Sequence, residues 1–340
     1  MIVYVNVAGC TNTCRHCSFE DRHPCGSVYT LDQMFGLADV WGPLIPHYDP
    51  AIHPEFPQIM DPRISSCGAV LRGNGVGIAR SEDSATMLAQ LRAFGYTQVL
   101  FVLHGVGETH DKWVSRKGAY QDILVASARV REAGLSVRWE IMLDKRNLEQ
   151  IGTLVNLSKQ SYGGSYGLGV VSHRVGKRTW RYEEIRPGLA DIERRLPNLR
   201  ALDGATWNRP LSEFTEASWL RAWESDPSSQ EFYHVSEPRQ WPLGEPSSQP
   251  TLRILILRDG KVYFDPMCAP KILLGDISEA RDALLSRMHG LERPPACIGK
   301  PPADSAFLET DLLHLEGFSL RYKAITRALY GKGSTTGAPT

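Results

Sequence analysis

The stretch Val5-Asn6-Val7-Ala8-Gly9-Cys10-Thr11-Asn12-Thr13-Cys14-Arg15-His16-Cys17 places three thiols within eight residues. The apolar run Ile2–Ala8 before it alternates with the rhythm of a strand, and the amphipathic segment Leu31–Val40 after it reads as a helix. The cysteines therefore belong to a strand-to-helix connection. That is the sheet edge at which α/β barrels gather their chemistry. A C-x₃-C-x₂-C loop offers three thiolates, one fewer than a [4Fe–4S] cube has irons. One iron would be left open to chelate another group. A structural zinc site normally takes four protein ligands, commonly from two C-x₂-C pairs, and no second pair exists in the chain.

Outward from this loop the strand–helix alternation continues to about residue 180. Further strands are expected at Gly42–Tyr48, Ala69–Leu71, Val99–His104, Ser136–Leu143 and Leu168–Ser172. Helices are expected at Glu82–Phe94, with Ser81 as N-cap and Gly95 as stop, and at Tyr120–Ala133, closed by Gly134. Such alternation implies βαβ units and a parallel sheet. Eight repeats usually need ~250 residues, so six describe a barrel that is only partly closed. The expected fold is α/β, a partial (β/α)6 TIM-like barrel over residues 1–186 with a small C-terminal α+β cap over 251–330. Between them, 187–250 is rich in Pro, Ser and Trp and reads as a bridge or lid packed on the barrel. In the cap, Leu252–Leu257 and Lys261–Phe264 form a hairpin through Arg258-Asp259-Gly260, and helices follow at Ile277–His289 and Ser305–Tyr330. The tail 331–340 is small, polar and expected to be disordered.

Composition narrows the function classes. Lysine and arginine total 38 against 38 acidic residues, so no broad nucleic-acid footprint is expected. No secretory signal or membrane-length apolar run is evident, which predicts a soluble, cytoplasmic protein with no membrane partner. Seven cysteines, odd in number and unevenly spaced, do not read as a disulfide framework.

With these motifs in place, the chain resembles the radical S-adenosylmethionine (SAM) superfamily, in its SPASM/Twitch-like branch. The resemblance implies one [4Fe–4S] cluster on Cys10, Cys14 and Cys17, with SAM bound to the open iron. It also implies reductive cleavage of SAM to a 5′-deoxyadenosyl radical that abstracts hydrogen from a substrate. Tyr48-Asp49-Pro50-Ala51-Ile52-His53-Pro54-Glu55-Phe56 resembles the family's Gly-Gly-Glu-Pro motif and its continuation. Here Tyr48 stands for a Gly, and Asp49 for the Glu, shorter by a methylene. Arg72-Gly73-Asn74-Gly75 resembles the Thr-Asn-Gly turn after strand three. Val102-Leu103-His104-Gly105, Thr109-His110-Asp111 and Arg116-Lys117-Gly118-Ala119-Tyr120 resemble the strand-four segment.

By resemblance His16, Asp49, Pro50, Asn74, His104, Glu140, Gly169 and Arg174 are the expected cofactor-binding residues. Asp259–Phe264, Cys268 and Leu274-Gly275-Asp276 look like the start of a SPASM or Twitch domain. With only Cys297 following, the auxiliary clusters are absent. Such a hairpin stands over the barrel mouth in relatives, which makes Cys268 a candidate hydrogen donor, with core packing as its ordinary alternative. The expected substrate is a small polar metabolite such as a nucleoside or a sugar, in natural-product biosynthesis. Electrons would come from a flavodoxin or ferredoxin. The alternatives are modification of a ribosomally made peptide and, in another class, a non-catalytic cysteine-bound zinc module.

Overall fold

The computed structural model describes residues 1–15, 17, 28–65, 68–162, 164–171, 180–225, 253–265, 271–291, 311–315 and 323. In chain order the core runs β1 (Ile2–Asn6), α1 (Leu31–Trp41), β2 (Ile45–His47), β3 (Val70–Gly73), α2 (Val76–Arg80), α3 (Ser84–Ala93) and β4 (Gln98–Leu103). It continues through α4 (Glu108–Val114), α5 (Ala119–Glu132), β5 (Ser136–Met142), α6 (Ile151–Tyr162) and β6 (Ser165–Gly169). Then come α7 (Trp180–Glu183), α8 (Leu189–Arg195), α9 (Leu199–Leu202) and α10 (Glu216–Ser225). The last described elements are β7 (Arg253–Ile256), β8 (Lys261–Asp265), β9 (Ile272–Asp276) and α11 (Arg281–His289).

The six barrel strands do not hydrogen-bond in one series. One sheet has the order β3-β4-β5-β6, all parallel; the other runs β2-β1-β7-β8-β9. Between β2 and β3 a single bridge, Leu44 to Ser65, links the neighbouring segments. The hairpin does not simply stand over the mouth. Its first strand, β7, pairs parallel with β1 from Ile2–Arg253 to Val5–Ile256, and continues the barrel wall.

Alternation along each strand sorts the two faces. Leu71, Val99, Phe101, Leu103, Val137, Trp139 and Ile141 point outward under the helices and are buried. Each such side chain contributes about 1.5–3 kcal/mol by leaving water. The inward positions Tyr4, Arg72, Arg138 and Glu140 line a cavity instead.

Several boundaries differ from expectation. Helix α3 is capped by Asp83, whose carboxylate accepts from the Thr86 amide at 3.2 Å, not by Ser81. Ser81 instead ends α2, a helix too short to leave a periodic signal. Strand β6 begins three residues before the expected Leu168, where its register with β5 starts at Ser165. The expected Ser305–Tyr330 helix does not extend over Leu312 and Leu313, which form bridges to Gly188 and Thr215, while Lys323 in the same range is helical. Long-range pairing at the two leucines overrides local helical periodicity. Trp207 is fully buried and donates Nε1–H to the Leu168 carbonyl at 2.9 Å, so part of the Trp-rich stretch packs on β6 as a bridge would. No helix among the described residues is long and apolar enough to cross a membrane.

Candidate active site

The cysteine loop leaves β1 through a turn built locally. Asn6 is buried, and its Oδ1 accepts from the Gly9 amide at 2.8 Å. Gly9 has φ +74°, a conformation that costs other residues roughly 1–2 kcal/mol. Beyond it the loop lies on the C-terminal end of α4. The Thr13 amide donates to Val114 O at 2.9 Å, and the Arg15 amide to Trp113 O at 3.2 Å. These are carbonyls a helix end leaves open.

The strand-four motif explains this support. Asp111 accepts from the Gly118 and Tyr120 amides at 2.6 and 2.8 Å, joining α4 to α5. Arg116 donates Nε–H to Asn12 Oδ1 at 2.7 Å and pairs with Asp122. Arg116, Asp111 and Trp113 thus position the loop, a role their sequence motif did not announce. Only the pairing of Asn12 with a residue 104 positions away reveals it.

Two further motifs converge on Cys10. Asn74 donates Nδ2–H to Cys10 Sγ at 3.5 Å and to Thr11 Oγ1 at 2.9 Å, while its Oδ1 accepts from the Val76 amide at 3.1 Å. The Asp49 amide donates to Gly9 O at 3.1 Å. The Asp49 side chain is 1% exposed, and neither carboxylate oxygen has a hydrogen-bond partner. Burial pushes this carboxyl up to about 7, with the Asn74 amide and Arg116 pulling only partly the other way. Burial, and then the Asp49 charge, push the Cys10 thiol up to about 11. A buried carboxylate beside the half-buried Cys10 thiol is a costly arrangement without a cation.

Tyr48 holds φ +72°. The position where the resembling motif carries Gly thus keeps the backbone that favours Gly, despite its aromatic side chain. The turn is also packed closely from behind. A Cβ on Gly77 of α2 would fall 2.0 Å from the Ala51 carbonyl oxygen, and one on Gly73 would fall 3.0 Å from Asp49 Oδ1. Gly77→Ala is therefore expected to displace the Asp49–Ala51 turn, cost about 1–3 kcal/mol in thermal or denaturant unfolding, and leave the cysteine loop in place.

The other expected residues separate. Pro50 and Glu140 line the cavity with Cys10; Glu140 also meets Arg72 at 3.5 Å. Gly169 ends β6, where an added Cβ would touch Leu315. His104 is 2% exposed, with its ring 5.5 Å from Trp113 and 6.0 Å from His110, behind the loop rather than on the cavity wall. His53 is a satisfied loop residue, donating Nε2–H to Tyr29 O at 2.7 Å and accepting from the Glu55 amide at Nδ1. His16, Arg174 and Cys268 lie outside the described residues, as do Cys25, Cys67 and Cys297. Asp265, three residues before Cys268, registers with Arg253 and through it with Ile2, at the end of β1 away from the cysteine loop.

The thiols Cys10, Cys14 and Cys17 are all partly exposed. Among the described residues Glu183, Glu216 and His314 form the one trio whose ligand atoms lie within 4.8 Å of one another, and the three thiols are not so gathered. A single zinc ion, with Zn–S near 2.3 Å, would hold its sulfurs within roughly 4 Å of each other.

No family profile and no curated protein matches the sequence. Solved structures do. Tagged anSMEcpe with bound AdoMet aligns at a TM-score of 0.52 and 12% identity, covering 96% of this chain and 95% of that one. Native anSMEcpe with bound AdoMet and the Cp18Cys peptide gives 0.51 and 12% over 96% of each chain. The same native protein with AdoMet and no peptide named gives 0.50 and 14% over 96% of each. The chain therefore shares the fold of these AdoMet-bound structures over nearly its whole length.

Proposed function

We propose that the chain is a radical SAM enzyme, with one [4Fe–4S] cluster on Cys10, Cys14 and Cys17 and SAM bound beside it. The observation that carries this reading is the orphaned Asp49 carboxylate near Cys10, in the turn whose Tyr48 and Pro50 line the cavity with Cys10. A cationic group there would stabilise both the carboxylate and the Cys10 thiolate. The residues fit: three thiolates for iron, Asp49 for an ammonium, and Asn74 to orient Cys10 Sγ and Thr11. Bound together, cluster and SAM supply a 5′-deoxyadenosyl radical able to remove a hydrogen atom. The chain's own work is to hold the loop on α4, to present Asp49, and to seat a substrate in the cavity.

The substrate is proposed to be a small polar metabolite, a nucleoside or sugar among them, because the cavity wall carries Tyr4, His47, Arg72 and Glu140 rather than a continuous apolar face. Peptide modification is the second reading, favoured by the likeness to anSMEcpe solved with a peptide. An external electron donor, flavodoxin or ferredoxin, completes the proposal.

Anoxic reconstitution with iron and sulfide is expected to give a brown protein that forms 5′-deoxyadenosine from SAM on reduction. Asn74→Ala is expected to keep the iron and weaken SAM binding about tenfold, the loss of one or two hydrogen bonds to a charged site. A colourless protein that retains zinc and leaves SAM intact would establish the zinc module instead.

A further inference from the structure

The cavity, about 920 Å³ in volume, extends from Cys10 to the far end of the barrel. Its wall carries three guanidiniums, Arg72, Arg138 and Arg253, against two carboxylates, Glu140 and Asp265. Arg72 is engaged by Glu140 at 3.5 Å. Among the described residues neither Arg138 nor Arg253 has an ion pair. Arg253 lies over the Tyr4 ring, 5.5 Å from its centre, and its Nε–H is buried without an acceptor. Arg138 passes over Gly167, whose missing Cβ leaves it room: that atom would stand 3.4 Å from Nη2.

Strand register brings Arg72 and Arg138 to one level of their sheet. Arg72 and Arg138 both register with Leu100 of β4, and Arg253 registers with Ile2 on the facing sheet. All three line one open cavity, Arg72 and Arg138 one inward position before Glu140 and its partner level. A cation-rich layer with uncommitted forked donors is a receptor for an oxyanion. Its Arg253 end sits at the N-terminal end of β1, whereas Cys10 follows the C-terminal end, so that end of the layer is set apart along β1 from the cysteine loop.

We propose that Arg138 and Arg253 bind an anionic group of the substrate, a carboxylate or a phosphate, within the barrel. This rests on the cavity being the substrate site of the proposed enzyme, and it narrows the substrate to an acidic metabolite. The aromatic face of Tyr4 holds the Arg253 guanidinium in place, so little side-chain freedom is lost on binding.

The test is calorimetric titration of the purified chain with inorganic phosphate and, separately, with succinate, at constant ionic strength and without SAM. Saturable binding of at least one anion is expected. Arg138→Gln and Arg253→Gln should each weaken it about tenfold, and the double variant should abolish it. Preference for phosphate or for succinate identifies which group the substrate carries. Exposed Arg63→Gln should change nothing. Arg138→Lys with Arg253→Lys keeps the charge without the fork and should bind with intermediate strength, which guards against misfolding of the neutral variants. Unchanged binding in the double Gln variant, or no saturable binding of either anion, overturns the proposal. The variant with Cys10, Cys14 and Cys17 all replaced by Ala should still bind the anion, so the site is tested independently of SAM chemistry.

Discussion

Replacing Cys10, Cys14 and Cys17 together by Ala is expected to lower iron from about four atoms per chain to near none after anoxic reconstitution. Formation of 5′-deoxyadenosine should vanish with it. The folded chain should survive, because the loop is held by contacts that do not involve sulfur. These are the Thr13 and Arg15 amides on α4, the Arg116–Asn12 bond, and the Asn6 turn at Gly9. Circular dichroism and thermal unfolding would show this separately from the iron assay. The Cys10 thiol, pushed up to about 11, is uncharged near neutral pH in the metal-free chain, so its removal should change stability there little. A full iron complement in the triple variant would place a cluster on other cysteines and end the reading of a cluster-free cap.

Lys323→Met is expected to cost about 3–5 kcal/mol, the usual penalty for leaving a buried charge unpaired. Lys323 Nζ lies 2.8 Å from Glu216 Oε1 and 3.1 Å from Glu183 Oε2, and all three side chains are buried. Arg186 holds Glu183 at 2.7 Å, and His314 Nε2 meets Glu216 at the same distance. The trio that could be mistaken for a metal site is therefore filled by an ammonium. It clasps residues 314 and 323 to the end of the barrel at α7 and α10.

The deficit should depend on pH. Burial pushes Glu216 from its ordinary 4.5 up to about 7, against the pull of Lys323. Between those values the folded chain keeps a proton that the unfolded chain has released, so stability falls as pH rises through that window. Without Lys323 the carboxyl is raised further, and the loss widens from pH 5 to pH 8. Denaturant unfolding at the two pH values checks this, and Glu216→Gln in the same background should recover part of the loss. Equal stability of Lys323→Met and the parent chain at pH 8 would show that the clasp contributes nothing.

The reach of sequence reading here follows the range of the interactions. The cysteine loop, the Asn74 turn and five of the six barrel strands lie close to where local pattern places them, since alternation and Gly turns act within a few residues. The Asp49 turn was legible too, although Tyr48 hides the glycine signal; its φ of +72° shows that backbone geometry outlasted the residue type. The pairing of β7 with β1 was not legible. Parallel partners some 250 positions apart carry no local mark, and the hairpin by itself looks like a separate cap. The expected helix over Ser305–Tyr330 was misplaced at Leu312 and Leu313 for the same reason, as bridges to Gly188 and Thr215 outweigh helical periodicity there. The cysteine pattern on which the proposed cofactor chemistry rests lies in one contiguous loop, which the sequence alone determined. Tertiary structure alone decided which charges meet. It buried Asp49 without a partner, sealed Lys323 between two glutamates, and turned Arg138 and Arg253 into one cavity, because burial and pairing depend on the elements packed around a residue and not on its neighbours in the chain.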